Sequence, residues 1–149
     1  LFDANELIQK SINDLQPFIE QKNALVHTNY SIPVANIKAD KAYLRLCLIN
    51  LIENAIKYAE KPVIEIDTNI EGNNYSITVK DNGIGIATEH QKKIFERFYR
   101  ITEGELHSSK GFGLGLNFVK KVIDTHNGKI DVKSEPGKGS TFTIKIPRN

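Results

Sequence analysis

Apolar residues recur at helical spacing in three segments of the chain. These are residues 5–20, which Pro17 should kink or interrupt, residues 40–59, and residues 114–128, where Gly128 suits the C-cap. Each segment is long enough for a helix that buries one face. The pattern therefore predicts three amphipathic helices spread along the chain.

Capping residues mark the start of two helices. Asp40 is suited to the N-cap of the second helix, and Thr88 with Gln91 resembles a capping box. The capping box predicts a further helix that continues through the sequence QKKIFERFYR. The apolar stripe predicted for the second helix consists of Leu44, Cys47, Leu48, Leu51, Ala55 and Ala59.

Five other segments have the character of β-strands. The turn sequences EGNN and EPGKG predict that the second and third strands form one hairpin and the fourth and fifth another. The sequence therefore predicts one domain of the α+β class, a two-layer α/β sandwich with a mixed, mostly antiparallel sheet and helices on one face. The five predicted strands are residues 24–32, 63–70, 75–81, 129–134 and 140–147.

Composition narrows the functional classes. The 149 residues fit one domain, and a formal net charge of +2 is too small to indicate nucleic acid or an anionic membrane as the main partner. The single cysteine, Cys47, excludes an intramolecular disulfide framework and a site built from several cysteines. No apolar run is long enough to span a bilayer. The chain starts without methionine, and we expect it to be a piece of a longer protein.

Polar side chains interrupt the second helix. Asn50, Asn54 and Lys57 share a narrow arc, with Asn54 about 40° and Lys57 about 20° from Asn50, and Tyr58 lies about 40° beyond Asn54. One interpretation is an ordinary polar face that happens to be rich in amides. The other is a metal and anion site, because an amide oxygen can bind Mg²⁺ and a lysine can neutralise phosphate.

Two glycine-bearing segments carry further candidate chemistry. DNGIG follows the third strand; Asp81 could accept a hydrogen bond from an exocyclic amine, and Gly83 and Gly85 would let a ligand approach the backbone. An ordinary turn explains it equally well. GFGLGL, residues 111–116, enters a helix and suits a polyphosphate, although a flexible hinge is also consistent with it. GKGS, residues 137–140, is not a P-loop, because it lies between two strands and lacks the earlier glycine.

The order of these motifs is more specific than any one of them. NLIENAIKY, DNGIG, IFERFYR and GFGLGL closely resemble the N, G1, F and G2 boxes of sensor histidine kinases. This family's ATP-binding domain belongs to a wider superfamily that includes DNA gyrase, the Hsp90 chaperone and the mismatch-repair ATPases. The resemblance runs from about Asp40 to Pro147 and implies the Bergerat-type ATP-binding fold. It makes residues 1–149 one catalytic and ATP-binding domain, in which residues 1–24 adjoin a dimerisation and phosphoacceptor region outside this chain.

The resemblance implies roles for the polar arc of the second helix. Asn54 would ligate the Mg²⁺ that bridges the ATP phosphates, Lys57 would contact phosphate, and Tyr58 would lie against the adenine. Asn50 would face the same cleft.

The resemblance also implies an adenine pocket and a lid. Asp81 would accept from the adenine amino group, and Gly83, Gly85 and Ile86 would shape the pocket. Residues 101–110 would form the ATP lid. Further nucleotide contacts are implied for Phe98, Arg100, Lys110, Gly111, Phe112, Gly113, Leu114, Gly115 and Leu116.

Within that lid region the implied roles differ. Arg100 would reach the γ-phosphate and act in catalysis together with Asn54 and Lys57, whereas Arg97 is a weaker candidate. Position 112 is Phe where many relatives carry a small hydroxyl residue, so a hydroxyl contact to phosphate is absent and Lys110 could offset it.

Asn50 separates a kinase from a hydrolase within the superfamily. ATP-hydrolysing relatives place a glutamate one turn before the metal-binding asparagine, and an amide cannot act as a general base. Glu53 points about 100° away from Asn54. The sequence thus favours transfer of the γ-phosphoryl group to a histidine. The alternatives are an ATPase, a serine-directed kinase, or a degenerate nucleotide-binding module.

The acceptor histidine is expected outside this chain. His27, His90, His107 and His126 are followed by Thr, Gln, Ser and Asn rather than by an acidic residue. The implied partners are the protein's own phosphoacceptor domain and the receiver domain of a response regulator in a two-component phosphorelay. The domain is expected in the cytoplasm. The sequence leaves open whether the full-length protein is anchored in a membrane.

Overall fold

Helices cover one face of a β-sheet in the computed structural model, which describes residues 1–97 and 115–148. The helices are α1 (Ala4–Asp14), α2 (Gln16–Gln21), α3 (Lys41–Lys57), α4 (Thr88–Gln91) and α5 (Gly115–Thr125). The strands are β1 (Phe2–Asp3), β2 (Leu25–Tyr30), β3 (Asn36–Ile37), β4 (Val63–Glu71), β5 (Asn74–Lys80), β6 (Lys129–Glu135) and β7 (Gly139–Pro147). None of the helices in these two ranges is long and apolar enough to cross a membrane.

The main sheet has five strands in the order β2-β4-β5-β7-β6. β2 runs parallel to β4, whereas the β4–β5, β5–β7 and β7–β6 pairs are antiparallel. The predicted mixed, mostly antiparallel sheet and both predicted hairpins are therefore confirmed. β1 and β3 form a separate two-stranded antiparallel pair that the sequence pattern did not predict.

The core lies between the sheet and the helices. In β4, Ile64 and Ile66 are fully buried while the intervening Glu65 is exposed, as expected for a sheet with one covered face. The six residues of the predicted α3 stripe are all buried in this core. Burial raises the pKa of the Cys47 thiol to about 12, so this cysteine acts as a small apolar residue.

The N-terminal segment belongs to the same core. Leu7 and Ile8 of α1 are almost completely buried, and the Tyr75 hydroxyl of β5 donates to Asn5 Oδ1 at 2.9 Å. Pro17 lies in the first turn of α2, and the helical path is interrupted at Leu15, as the sequence predicted.

Two predicted helix ends are wrong. The helix that starts at Thr88 ends at Gln91, and the residues after it up to 97 form turns; Ala87 occupies the N-cap and makes no side-chain cap hydrogen bond. At the end of α5 the left-handed residue is Asn127, with φ of 56°, rather than Gly128. Gly128 is nevertheless needed, because a Cβ there would lie 2.3 Å from the Lys145 carbonyl oxygen.

The predicted N-cap of α3 gives a direct stability test. The Asp40 carboxylate accepts from the Tyr43 N–H at 3.0 Å. Asp40→Ala should lower the free energy of unfolding by about 1 kcal/mol, because this N–H loses its acceptor, and the melting temperature should fall by about 2–4 °C. Asp40→Asn is the matched control and should be neutral. Equal melting temperatures for the Ala variant and the wild type would contradict the capping role.

Candidate functional site

The C-terminal end of α3 touches the loop that follows β5. The Ile84 N–H donates to the Tyr58 carbonyl oxygen at 3.1 Å. A Cβ at Gly83 would lie 2.9 Å from the same oxygen, so only glycine allows this approach without a shift. The fold therefore brings together the helix that carries Asn54 and the loop that carries Asp81.

The Asp81 carboxylate is held through one of its two oxygens. Asp81 Oδ1 accepts from the Gly83 N–H at 2.8 Å and from the Ser140 N–H at 3.2 Å. The backbone N–H of Asp81 donates in turn to the Ser140 carbonyl oxygen at 2.8 Å. No described residue donates to Oδ2, which leaves that oxygen for a ligand.

Burial is the main influence on the charge of Asp81. It raises the pKa of this carboxyl above the usual aspartate value, and the N–H groups of Gly83 and Ser140 act in the opposite direction. A partly buried carboxylate is stabilised by further donors. Oδ2 therefore suits a ligand that donates a hydrogen bond, such as an exocyclic amine.

The polar arc of α3 divides into paired and unpaired side chains. Asn50 Nδ2 donates to the Leu46 carbonyl oxygen of its own helix at 3.0 Å. Asn54 and Lys57 are half-buried, and in the described part of the chain their side chains make no hydrogen bond or ion pair. An amide oxygen and an ammonium group are thus available on the same side of the helix.

The loop after β5 packs against the turn between β6 and β7. Gly85 has φ of 76°, and a Cβ there would lie 2.1 Å from the Glu135 carbonyl oxygen. The Gly137 N–H donates to the Ile84 carbonyl oxygen at 2.7 Å. A Cβ at Gly139 would lie 2.0 Å from the Asp81 carbonyl oxygen. The β6–β7 turn therefore fixes the position and backbone conformation of this loop.

Several residues that support the site were missed by the sequence analysis. Asn82 Oδ1 accepts from the Val63 N–H at 2.9 Å and Asn82 Nδ2 donates to the Lys61 carbonyl oxygen at 3.0 Å, which ties the loop to the start of β4. Ser134 and Ser140 hold it from the other side. The signal available in the sequence was the segment SEPGKGS. Its last four residues, GKGS, were rejected as a P-loop, but the support that this segment gives to the loop after β5 was not predicted.

The remaining predicted residues are only partly described. Ile86 and Leu116 are partly buried and pack against the core, and Gly115 begins α5 with φ of 46°. Phe95 packs edge-on against Phe142, with ring centroids 6.4 Å apart. The end of the F box, the lid at residues 101–110 and most of the glycine-rich loop lie outside the described residues. The predicted nucleotide contacts among them are Phe98, Arg100, Lys110, Gly111, Phe112, Gly113 and Leu114.

Two cavities lie away from this site. The larger, of about 370 Å³, lies between α1 and α3, where Arg45 and Asp14 already form an ion pair. The smaller, of about 220 Å³, lies beside Tyr75 and Arg148. Neither cavity is lined by Asn54, Lys57 or Asp81. Among the described residues no cluster of three or more His, Cys, Asp or Glu side chains could hold a metal.

Comparison with known proteins assigns a family. The family described as histidine kinase-, DNA gyrase B-, and HSP90-like ATPase matches residues 39–149. Sensor protein RprX of Bacteroides fragilis is 42% identical over 149 residues, which covers 97% of this chain and 28% of RprX. This chain therefore spans less than a third of that relative.

Solved structures agree with this assignment. The nucleotide-free catalytic domain of histidine kinase ThkA superposes with a TM-score of 0.87 at 30% identity, covering 99% of this chain and 93% of that one. ThkA in complex with response regulator protein TrrA gives 0.83 at 27% identity, covering 99% and 41%. Full-length ShkA in complex with AMPPNP gives 0.84 at 28% identity, covering 97% and 30%. The chain therefore belongs to the histidine kinase-, DNA gyrase B- and HSP90-like ATPase family, as a catalytic domain of the sensor histidine kinase type.

Proposed function

We propose that this domain binds Mg-ATP between the C-terminal half of α3 and the loop after β5, and transfers the γ-phosphoryl group to a histidine outside this chain. The observation that carries the proposal is the second oxygen of Asp81, to which no described residue donates. It lies beside the end of the helix that carries Asn54 and Lys57, whose side chains have no hydrogen-bond or ion-pair partner in residues 1–97 and 115–148. An ATPase family and a structural relative solved with AMPPNP support ATP as the nucleotide.

Adenine would be recognised at the loop after β5. Asp81 Oδ2 would accept from the exocyclic amino group, since Oδ1 is already occupied by two backbone N–H groups. Guanine carries a carbonyl oxygen at the equivalent position. This oxygen and the Asp81 carboxylate are both hydrogen-bond acceptors, so guanine would be disfavoured. Tyr58 would lie against the base, and Gly83, Gly85 and Ile86 would form the pocket floor.

The residues of α3 fit a magnesium ion and a triphosphate. Mg²⁺ usually takes one or two protein oxygens and completes its shell with water and phosphate, so the single amide oxygen of Asn54 is sufficient. When bound, the ion would supply positive charge where the phosphates crowd together. Lys57 would neutralise phosphate from one turn further along the helix. Arg100, Lys110 and residues 111–116 would complete the phosphate contacts, with residues 101–110 as the lid.

The arrangement favours a kinase over a hydrolase. Asn50 stands where a general base would be required, and its amide is engaged with the backbone of α3. An incoming imidazole nitrogen would form the new bond to the γ-phosphorus as the bond to the bridging oxygen of ADP breaks. The domain would contribute mainly position and charge neutralisation to this step.

The partners follow from the same assignment. The acceptor histidine would lie on the protein's own dimerisation domain, which would adjoin residues 1–24, and the phosphoryl group would pass to the receiver domain of a response regulator. The structure of ThkA with TrrA supports the second partner. We propose that the domain works on the cytoplasmic side, whether or not the parent is membrane-anchored.

Reconstitution tests the function as a whole. The purified chain should bind Mg-ATP, hydrolyse it slowly, and phosphorylate a separately purified phosphoacceptor domain of the same parent protein. The phosphate should be labile to acid, as expected for phosphohistidine and not for phosphoserine. Rapid hydrolysis without an acceptor, or acid-stable phosphate on the acceptor, would refute the histidine kinase assignment.

The metal-ligand role of Asn54 predicts a selective loss of transfer. Asn54→Ala should lower the rate of phosphoryl transfer about 100-fold, because the ion loses its protein ligand. Asn54→Asp should also lower the rate, because it adds a negative charge beside the triphosphate. The melting temperature of both variants should stay close to that of the wild type. Asn13→Ala, an exposed helical asparagine in α1, is the matched control and should transfer normally. Normal transfer by the Asn54 variants would show that another residue holds the metal.

The Asp81 carboxylate predicts a pH-dependent affinity. Asp81→Asn keeps the Oδ1 acceptor but replaces Oδ2 by a donor, so ADP should bind about 10- to 100-fold more weakly at neutral pH. Because burial raises the Asp81 pKa, wild-type affinity should fall on acidification earlier than for an ordinary aspartate. Calorimetric titration of both proteins at each pH measures this, and the ratio of affinities cancels the titration of the nucleotide itself.

The same variant should remain folded. A raised folded-state pKa means that the ionised form of Asp81 costs stability above that pKa, and the cost is relieved as the pH falls through it. Asp81→Asn removes the charge and retains the bonds to Gly83 and Ser140, so its melting temperature at neutral pH should equal or exceed that of the wild type. Unfolding of this variant, or an affinity ratio independent of pH, would contradict the role given to Asp81.

A further inference from the structure

The Ser134 hydroxyl joins the loop after β5 to the β6–β7 hairpin. Ser134 Oγ accepts from the Ile86 N–H at 2.7 Å, donates to the Gly139 carbonyl oxygen at 2.9 Å, and lies 2.7 Å from Ser140 Oγ. A hydroxyl has one proton, and Gly139 receives it, so Ser140 is the donor in the third bond. Ser134 is therefore saturated, with one bond donated and two accepted.

The Gln91 side chain binds the carbonyl oxygen of Ile86, the residue whose N–H is bound by Ser134. Gln91 Nε2 donates to the Ile86 carbonyl oxygen at 2.8 Å and to the Ser134 carbonyl oxygen at 2.9 Å. Both amide protons are therefore used. Ile86 has its N–H bound to one of these side chains and its carbonyl oxygen bound to the other.

The network reaches the opposite end of the loop through Ser140. The Ser140 N–H donates to Asp81 Oδ1, and its hydroxyl donates to Ser134 Oγ. A continuous series of hydrogen bonds thus runs from Asp81 through the two serines to Ile86. The loop between them is therefore fixed at both ends by the same hairpin.

We propose that Ser134 and Gln91 are positioning residues for the adenine pocket, an inference that rests on the proposed function. They hold residues 81–86 in the binding geometry before the nucleotide arrives, so that little ordering remains to be done on binding. Neither side chain needs to touch the nucleotide. Their loss should weaken nucleotide affinity and leave the transfer step at saturating ATP nearly unchanged.

The variants separate positioning from general stability. Ser134→Ala should weaken ADP binding about 10-fold, because the Ile86 N–H loses its acceptor and the loop loosens. The transfer rate to the acceptor domain at saturating ATP should stay within about twofold of the wild type, so KM rises and kcat does not. Ser134→Thr keeps the hydroxyl and should restore most of the affinity.

The matched control is Thr68→Val. Thr68 is 4% exposed, and its hydroxyl also accepts a backbone N–H, that of Ser31 at 3.2 Å, but in a different part of the sheet. This variant should lower the melting temperature about as much as Ser134→Ala while ADP affinity remains that of the wild type. If Thr68→Val lowered ADP affinity as much as Ser134→Ala does, the effect of Ser134 would be one of general stability, and the positioning role would be contradicted.

Variants of Gln91 provide a second, independent test. Gln91→Ala should weaken ADP binding, and Gln91→Glu should weaken it further, because a carboxylate would face two carbonyl oxygens that require donors. Equal affinity in the wild type and both Gln91 variants would overturn its part of the proposal.

Amide hydrogen exchange tests the positioning without nucleotide. In the nucleotide-free protein Ser134→Ala should speed exchange at the Gly83 and Ile84 amides, which Ser134 does not contact directly, and leave the β4 amides unchanged. Unchanged exchange at both amides overturns the inference, whatever the wild type binds. If the wild type binds no nucleotide, the proposed function fails, and faster exchange would still show that the loop is held by Ser134.

Discussion

A partly buried carboxylate with one occupied oxygen is the constraint around which this site is organised. Removing a charge from water is costly unless donors replace the water. The N–H groups of Gly83 and Ser140 supply two donors to Asp81 Oδ1, but burial still raises the pKa of this carboxyl above the usual aspartate value. The close approaches at Gly83 and Gly139 follow from this arrangement, since a side chain at either position would force the surrounding backbone apart.

Helix α3 packs on the sheet with its apolar stripe and carries two candidate site residues at the edge of that stripe. Its apolar stripe is buried against the sheet, and Asp40 caps its start. The half-buried Asn54 and Lys57 lie off that stripe without partners among the described residues. A rigid helix is a precise support for such groups, because its backbone is already satisfied and its position is set by the core.

Much of the fold was predictable because it rests on local periodicity. The α3 stripe, the interruption at Pro17 and both hairpins were predicted and are observed. The two-residue strands β1 and β3 were not predicted, since two residues carry no periodicity. The helix after Thr88 was predicted too long, since it ends at Gln91. Gln91 was also interpreted as part of a capping box, whereas its side chain donates to carbonyl oxygens of Ile86 and of a residue 43 positions away.

Candidate site residues could be proposed from the sequence only where a motif marks them. Asn54 and Asp81 lie in segments whose order resembles a known family, and their roles stay predictions. Ser134 and Ser140 act on residues 48 and 59 positions away, and no local pattern reveals such a pairing. Their role became visible only when the sheet brought the two hairpins together.

The parallel pairing of β2 with β4 extends the sheet beyond the start of the family match. The family match begins at residue 39, yet β2 at residues 25–30 covers the edge of β4, and α1 fills part of the core. A fragment cut at the family boundary would leave the N–H and C=O groups of β4 unpaired along a bare edge, beside apolar surface stripped of its cover. Such an edge is a template for association with other chains, so a fragment that keeps the sheet edge covered has to include the residues before the family boundary.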